Sequence, residues 1–252
     1  MRGLRGRAGG GTPARKSIDE GESTAGRTKK VGPGLDYEQA WIARGANPIA
    51  GVDEAGRGPW AGPVVAAAVI LDPDRIPVGI DDSKALDPAA RERLFDDIMR
   101  NADVGVGMAD VARIDRDNIL RATLWAMAQA VSALSKAPQA ALVDGTIAPD
   151  LRCPVETIVA GDAKSLSIAA ASIIAKVTRD RMMVELARAH PGFGWERNKG
   201  YGVVEHRAGI ERLGLTAHHR RSFRPIAHAA DRAAERAADE AAIKAAARHA
   251  TI

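Results

Sequence analysis

The chain predicts an α/β protein built as a mixed sheet covered by helices. Two apolar runs, "PIAGVDEA" and "AGPVVAAAVIL", flank a Gly-Arg-Gly-Pro-Trp turn, as the arms of a hairpin do. Further short apolar runs follow, separated by stretches with helical spacing. A hairpin followed by strands alternating with helices leads to a mixed sheet under helical layers.

Residues 1–36 are aperiodic and rich in Gly, Arg, Lys, Ser and Thr, which predicts a disordered basic tail ahead of a folded body over 37–226. After the hairpin, "DPAARERLFDDIMRNA" opens with an Asp-Pro start signal and places Leu94 and Ile98 at helical spacing. "DVGVGMADV" alternates like a third strand. "RIDRDNILRATLWAMAQAVSAL" reads as one long amphipathic helix turning Ile119, Leu120, Leu124, Met127 and Val131 to the core. Two short buried strands follow, "AALVDG" ending in Asp144 and "VETIVAGD" ending in Asp162. The longest helical run, "SLSIAAASIIAKVTRDRMMVELARAH", stops at Pro191-Gly192, and its small residues suit close packing on the sheet. The loop "PGFGWERNKGYG", the helix "VVEHRAGIERLG" and the basic "HHRRSFRP" complete the body. Residues 227–252 are Ala-rich with a Glu240–Lys244 pair, a helical or disordered tail.

Composition narrows the class. The chain has 252 residues, 46% of them hydrophobic, with no apolar run of the about 18 residues needed to span a membrane. The N-terminus is basic but has no apolar segment, so no secretory signal is read. Cys153 is alone, which excludes an internal disulfide and predicts a reducing cytoplasm; a monomer is expected. Residues 1–36 hold eight Lys or Arg against four Asp or Glu, and residues 195–224 hold seven against three. Since the whole chain carries +4, the central 37–194 is acidic. An acidic centre beside a basic segment suits a metal site that receives a polyanion.

Those acids sit where strands end: Asp53 and Glu54 on the first, Asp144 on the fourth, Asp162 on the fifth. In open α/β sheets such edges hold the ligand crevice. Carboxylates gathered there repel one another unless cations lie between them. Mg²⁺ or Mn²⁺ fits an all-oxygen set, and zinc does not, because no Cys/His pair has ligand spacing. Two such ions would clamp a phosphodiester. One geometric objection stands: neighbours on a regular strand point to opposite faces. Asp53 and Glu54 share a site only if the backbone bends near Ala55-Gly56, or if Glu54 binds through its main-chain carbonyl.

The segments "DEAGRGPWAGPVVAAAVIL", "DDSKAL", "VDG", "GDAKSLSIAAASIIAKVTRDRMM", "NKGYG" and "HHRRSF" occur in the order found in bacterial type 2 ribonuclease H, and the chain resembles that family over roughly residues 48–226. The third type of ribonuclease H has Gly-Lys-Gly where Gly56-Arg57-Gly58 stands here, and it carries an added N-terminal domain. The resemblance implies a ribonuclease H-like fold, a central five-stranded mixed sheet flanked by helices with a helical C-terminal part. It implies endonucleolytic cleavage 5′ to a ribonucleotide in RNA–DNA hybrids, including single ribonucleotides embedded in duplex DNA. The products would be a 3′-hydroxyl and a 5′-phosphate, with Mn²⁺ or Mg²⁺ as cofactor.

The resemblance also implies roles. Asp53, Glu54, Asp144 and Asp162 match the four acids. Gly56, Arg57 and Gly58 match a ribonucleotide sensor, where the lack of a Cβ lets main chain approach a 2′-hydroxyl. Tyr201 matches a tyrosine that packs on the next deoxyribose, and Lys84 a lysine at backbone phosphate. Lys164, Arg220 and Arg221 are weaker candidates for substrate contact, and His218 and His219 read as phosphate or capping residues. Trp60 stands where a smaller aliphatic residue is expected. Two rival readings are another nuclease of the superfamily, which would lack the Gly-Arg-Gly and Tyr201 pair, and a non-catalytic hybrid-binding protein, which needs no four acids.

Overall fold

The first three strands, β1 (Ile49–Ala55), β2 (Val64–Leu71) and β3 (Ala102–Ala109), form an antiparallel meander in the computed structural model, which describes residues 32–249. Strands β4 (Ala140–Asp144) and β5 (Val155–Ile158) extend it in parallel beyond β1, giving the order β3-β2-β1-β4-β5. The mixed five-stranded sheet is therefore present. Register matters for the site: Val52 pairs with Val143, so Asp53 and Asp144 follow one another off adjacent parallel strands.

Helices cover both faces. Val52, Ala66, Ala68 and Val143 pack on α4 (Ile119–Ser132), below α3 (Val111–Asp117). Ala67 and Val69 face α5 (Leu166–Ala189) and α2 (Pro88–Asn101), while Leu142 and Ile158 meet Ile168 near α1 (Asp36–Ala43). Beyond the sheet, α6 (Trp195–Asn198), α7 (Val204–Leu213) and the start of α8 (Arg224–His249) enclose Phe193, Trp195, Ile210 and Ile226.

Two expectations change. The long helix after β3 is two helices, because Asn118 adopts φ 70 and its side chain caps α4 through the Arg121 amide. With ψ at 164 this backbone lies outside both helical regions, so the α3 spiral ends there, and the side-chain cap starts α4 at the next residue. The buried stripe of α4 is also smaller than expected: Ala122, Ala126 and Ala130 face the sheet with Met127, and Ile119, Leu124 and Val131 flank it. Gly105 and Gly107 allow this approach, since a Cβ on either would lie 2.0 or 2.1 Å from a carbonyl oxygen of α4.

The folded body begins slightly before residue 37. Gly34 donates to the Lys164 carbonyl at 3.1 Å and accepts from Leu166 at 2.8 Å, and α1, unread in the sequence, docks Glu38 onto Ser165 and Ser167. The rest of the expected N-terminal tail, residues 1–31, and residues 250–252 lie outside the described residues. Among the described residues, no helix is long and apolar enough to cross a membrane.

Candidate active site

The acids come together at one edge of the sheet. Asp53 is buried in β1, and its carboxylate accepts the Glu54 amide at 2.7 Å. Burial pushes its carboxyl well above the usual range, and the neighbouring Glu54 and Asp144 charges push it further. Strand β1 stays regular through Ala55, with no bend between the two acids: Asp53 pairs across from Ala67 on the α5 face, and Glu54 across from Ala66 on the α4 face. The two side chains thus leave opposite faces of the strand end. Burial also raises the Glu54 carboxyl, against the pull of Arg57, whose Nη1 lies 3.4 Å away.

Asp144 ends β4, with its pKa raised by burial, and accepts the Gly161 amide at 2.7 Å. That bond holds the chain carrying the next acid. Asp162 does not end β5, which stops at Ile158; Ala160 turns at φ 52 into a 3-10 turn (Gly161–Ala163) that presents Asp162 instead. Lys84 Nζ reaches Asp162 at 2.8 Å. Burial works against the Lys84 charge, but Asp162, Asp82 and Asp53 outweigh it and raise its pKa to about 12. The "DDSKAL" loop is fixed from below by Ser83, 2.8 Å from Ser172 of α5, and Ser172 lies near enough to Asp53 to oppose the rise of its pKa.

This donor set is all oxygen and short of positive charge, which fits a hard divalent ion. The carboxyls lie within electrostatic reach, yet among the described residues no three Asp, Glu, His or Cys side chains converge closely enough to chelate one as they stand. The chemistry of the set carries the fit, because Lys84 already serves Asp162 as a stand-in cation.

The Gly-Arg-Gly turn follows β1 directly. Gly56 sits at φ +98, and a Cβ there would fall 1.9 Å from Arg179 Nε, so only glycine fits. Two buried arginines brace the loop. Arg220 donates to the carbonyls of Gly56, Arg57, Gly62 and Pro63 at 2.6–3.0 Å. Arg179 donates to Pro63, Ala61 and Lys199. Burial pulls Arg220 down to about 9 and Arg179 to about 10, so both stay charged at neutral pH. Arg220 is thereby spent on the loop and not on phosphate. Arg57 itself is half-exposed.

Tyr201 is half-exposed beside Gly58, where a Cβ would lie 3.4 Å from its ring. Trp60, the unexpected residue, lies against Gly202 with Arg207 over its ring, and its amide donates to Gly200. It seats the Tyr201 loop. Lys164 is exposed and bonds the Val159 carbonyl, while the Arg221 amide bonds Asp115. His219 is buried against His206 and is no phosphate contact. Sequence reading missed Arg179, Ser172, Trp195 and His206; the signal available was a charged residue within the alanine-rich α5.

A family model described as ribonuclease HII matches residues 50–226. The chain belongs to the ribonuclease HII family. A ribonuclease HII of Bradyrhizobium diazoefficiens is 61% identical over 76% of this chain and 74% of its own length. Among solved structures, ribonuclease H2 from Pyrococcus horikoshii OT3 superposes with a TM-score of 0.63 at 30% identity, covering 73% of this chain and 97% of that one. Bst-RNase HIII in complex with Mn²⁺ gives 0.61 at 25% identity, covering 73% and 69%. As a member of that family the chain is a ribonuclease H, an endonuclease acting on RNA–DNA hybrids, and the family is metal-dependent. The ribonuclease H-like fold expected from the sequence is the fold observed.

Proposed function

We propose that this protein cuts the phosphodiester on the 5′ side of a ribonucleotide, both in RNA–DNA hybrids and at single ribonucleotides embedded in duplex DNA. The products carry a 3′-hydroxyl and a 5′-phosphate. Asp53, Asp144 and Asp162 would hold two Mg²⁺ or Mn²⁺ ions through their carboxylates, and Glu54, whose side chain leaves the other face of the strand, would join them through its main-chain carbonyl. The chemistry that such a pair supplies is activation of the attacking water and stabilisation of the leaving 3′ oxygen.

The chain's own residues do the rest. Gly56, Arg57 and Gly58 bring main chain to the 2′-hydroxyl, the one group that separates RNA from DNA at a single nucleotide. Tyr201 packs on the following deoxyribose and is crowded by a 2′-oxygen there. Lys84 meets a backbone phosphate with an ammonium that stays charged at any working pH. Arg179 and Arg220 hold the sensing loop in shape without touching substrate.

The observation that carries this reading is the meeting of a buried, mutually repelling set of carboxyls with a glycine-walled loop against which Tyr201 rests. An acid set alone suits many nucleases; the loop and the ring supply the 2′-oxygen test. A DNA duplex bearing one ribonucleotide, incubated with Mn²⁺ or Mg²⁺, is expected to be nicked once, 5′ to that ribonucleotide. Equal cutting of the all-DNA duplex rejects the reading, as does full activity in excess chelator.

A further inference from the structure

Trp195, His206 and His219 are buried beneath the Tyr201 loop, and their hydrogen bonds admit one assignment of protons. The Trp195 indole N–H can only donate, and it points at His206 Nε2 from 3.0 Å. His206 therefore carries its proton on Nδ1, which lies 3.0 Å from the Tyr201 carbonyl oxygen. The Thr216 amide also can only donate, and reaches His219 Nδ1 at 2.9 Å. His219 then holds its proton on Nε2, 3.2 Å from His206 Nε2. The one lone pair of His206 Nε2 is then shared by Trp195 at 3.0 Å and the more distant His219 at 3.2 Å, and donation runs on from His206 Nδ1 to Tyr201. A proton added to either ring would face an existing donor, and burial already favours the neutral rings.

The output of this network is Tyr201. Its carbonyl oxygen accepts both His206 and the Val203 amide, and its own amide donates to Asn198. Its ring, by contrast, is half-exposed and rests beside Gly58. The ring is therefore aimed by its main chain, and the main chain is held by His206. Discriminating one sugar oxygen leaves little tolerance, since misplacement by about 1 Å can cost a large factor in rate.

We propose that Thr216, His219, His206 and Trp195 form a positioning network that aims Tyr201, and so sets the preference for a ribonucleotide followed by deoxyribonucleotide over continuous RNA. This rests on the reading of Tyr201 given above. Two substitutions of similar size separate its parts. His206→Asn keeps an N–H donor near the Nδ1 position; His206→Gln keeps a polar group near Nε2 and nothing at Nδ1. The quantity read is kcat/KM on a duplex with one ribonucleotide divided by kcat/KM on a continuous RNA–DNA hybrid.

His206→Gln is expected to lower this ratio about three- to tenfold, the range for one lost hydrogen bond, and His206→Asn to restore most of it. Tyr201→Ala is the reference. If Tyr201→Ala leaves the ratio unchanged, the reading of Tyr201 falls. If Tyr201→Ala lowers the ratio while the two His206 variants behave alike, the positioning network is overturned and that reading survives. A measurement on the unmodified enzyme guards against misfolded variants: ¹⁵N resonances at neutral pH should show His206 protonated on Nδ1 and His219 on Nε2, with His219 not titrating between about pH 5 and 8. Opposite tautomers, or titration in that window, also overturn the proposal.

Discussion

At the sheet edge, Asp53, Glu54 and Asp144 are acids whose carboxyls burial pushes above their ordinary values; beneath Tyr201, His206 and His219 are bases that burial pushes below theirs, His219 to about 3. Both groups are held against water's preference, but to different ends. The acids retain an unmet demand for positive charge, which is what a site that receives cations must have. The histidines have every proton assigned to a partner, so they need no ligand and serve as framework.

The two regions therefore answer pH with opposite sign. For an acid whose folded pKa is raised, the stability it allows is full below its ordinary value of 3.8 and is lost as pH rises through the raised value. For His219, stability is full above 6.5 and is lost as pH falls towards about 3. The largest effect expected from breaking this contrast is at Asp53. Asp53→Asn should lower turnover about a thousandfold or more while hybrid binding persists. In metal-free protein the same change should raise the thermal midpoint at neutral pH and flatten the loss on the alkaline side. A midpoint that drops instead would mean that Asp53 is not destabilised by its neighbours.

Arg220 tests the other region. Arg220→Met leaves the Gly56, Arg57 and Gly62 carbonyls without their donor, while Pro63 keeps Arg179, a cost of about 3 kcal/mol or more in denaturant unfolding. Tyr201→Ala, at a half-exposed ring, should cost less than about 1 kcal/mol. Equal costs would show that the carbonyls find water when the guanidinium leaves.

These regions also differ in how far they could be read in advance. The acids were legible because an unpaired carboxylate in an apolar run is conspicuous, and strand ends bring distant residues to one edge. The five strands were legible for the same local reasons of apolar runs and Gly or Pro punctuation. The break at Asn118 was not, since the residues on both sides keep helical spacing and only one backbone angle divides them. Helix α1 was hidden by its position against a polar tail, its buried face depending on Glu38 meeting Ser165 and Ser167, over a hundred residues away. His206, His219 and Trp195 are likewise joined only by tertiary packing. Nothing in "HHRRSF" distinguishes a buried Arg220 from an exposed Arg221.

A smaller effect should separate the two pH limbs directly. His219→Gln is expected to flatten the loss of stability between pH 6.5 and about 3 without changing the alkaline side, in thermal unfolding at fixed ionic strength. Asp53→Asn should leave that loss in place and remove the opposite one, which sets in as pH rises above 3.8. A single substitution that moved both limbs would join the regions into one cooperative charge network and remove the distinction between receiving site and framework.

The smallest expected effect is the most discriminating at the acid edge. Lys84 is mostly exposed, so its 2.8 Å pair with Asp162 contributes under about 1 kcal/mol, and Lys84→Gln should leave stability nearly unchanged. Its functional effects should run in opposite directions. Loss of a phosphate contact should raise KM for the hybrid a few-fold and reduce the salt dependence of binding by about one unit of slope. Loss of the ammonium beside Asp162 should make the acid edge more negative, and so lower the half-saturating Mn²⁺ concentration about twofold. A higher KM with unchanged Mn²⁺ dependence would make Lys84 a substrate contact alone. A higher Mn²⁺ requirement would instead mean that Lys84 orders Asp162 for the metal more than it competes with it.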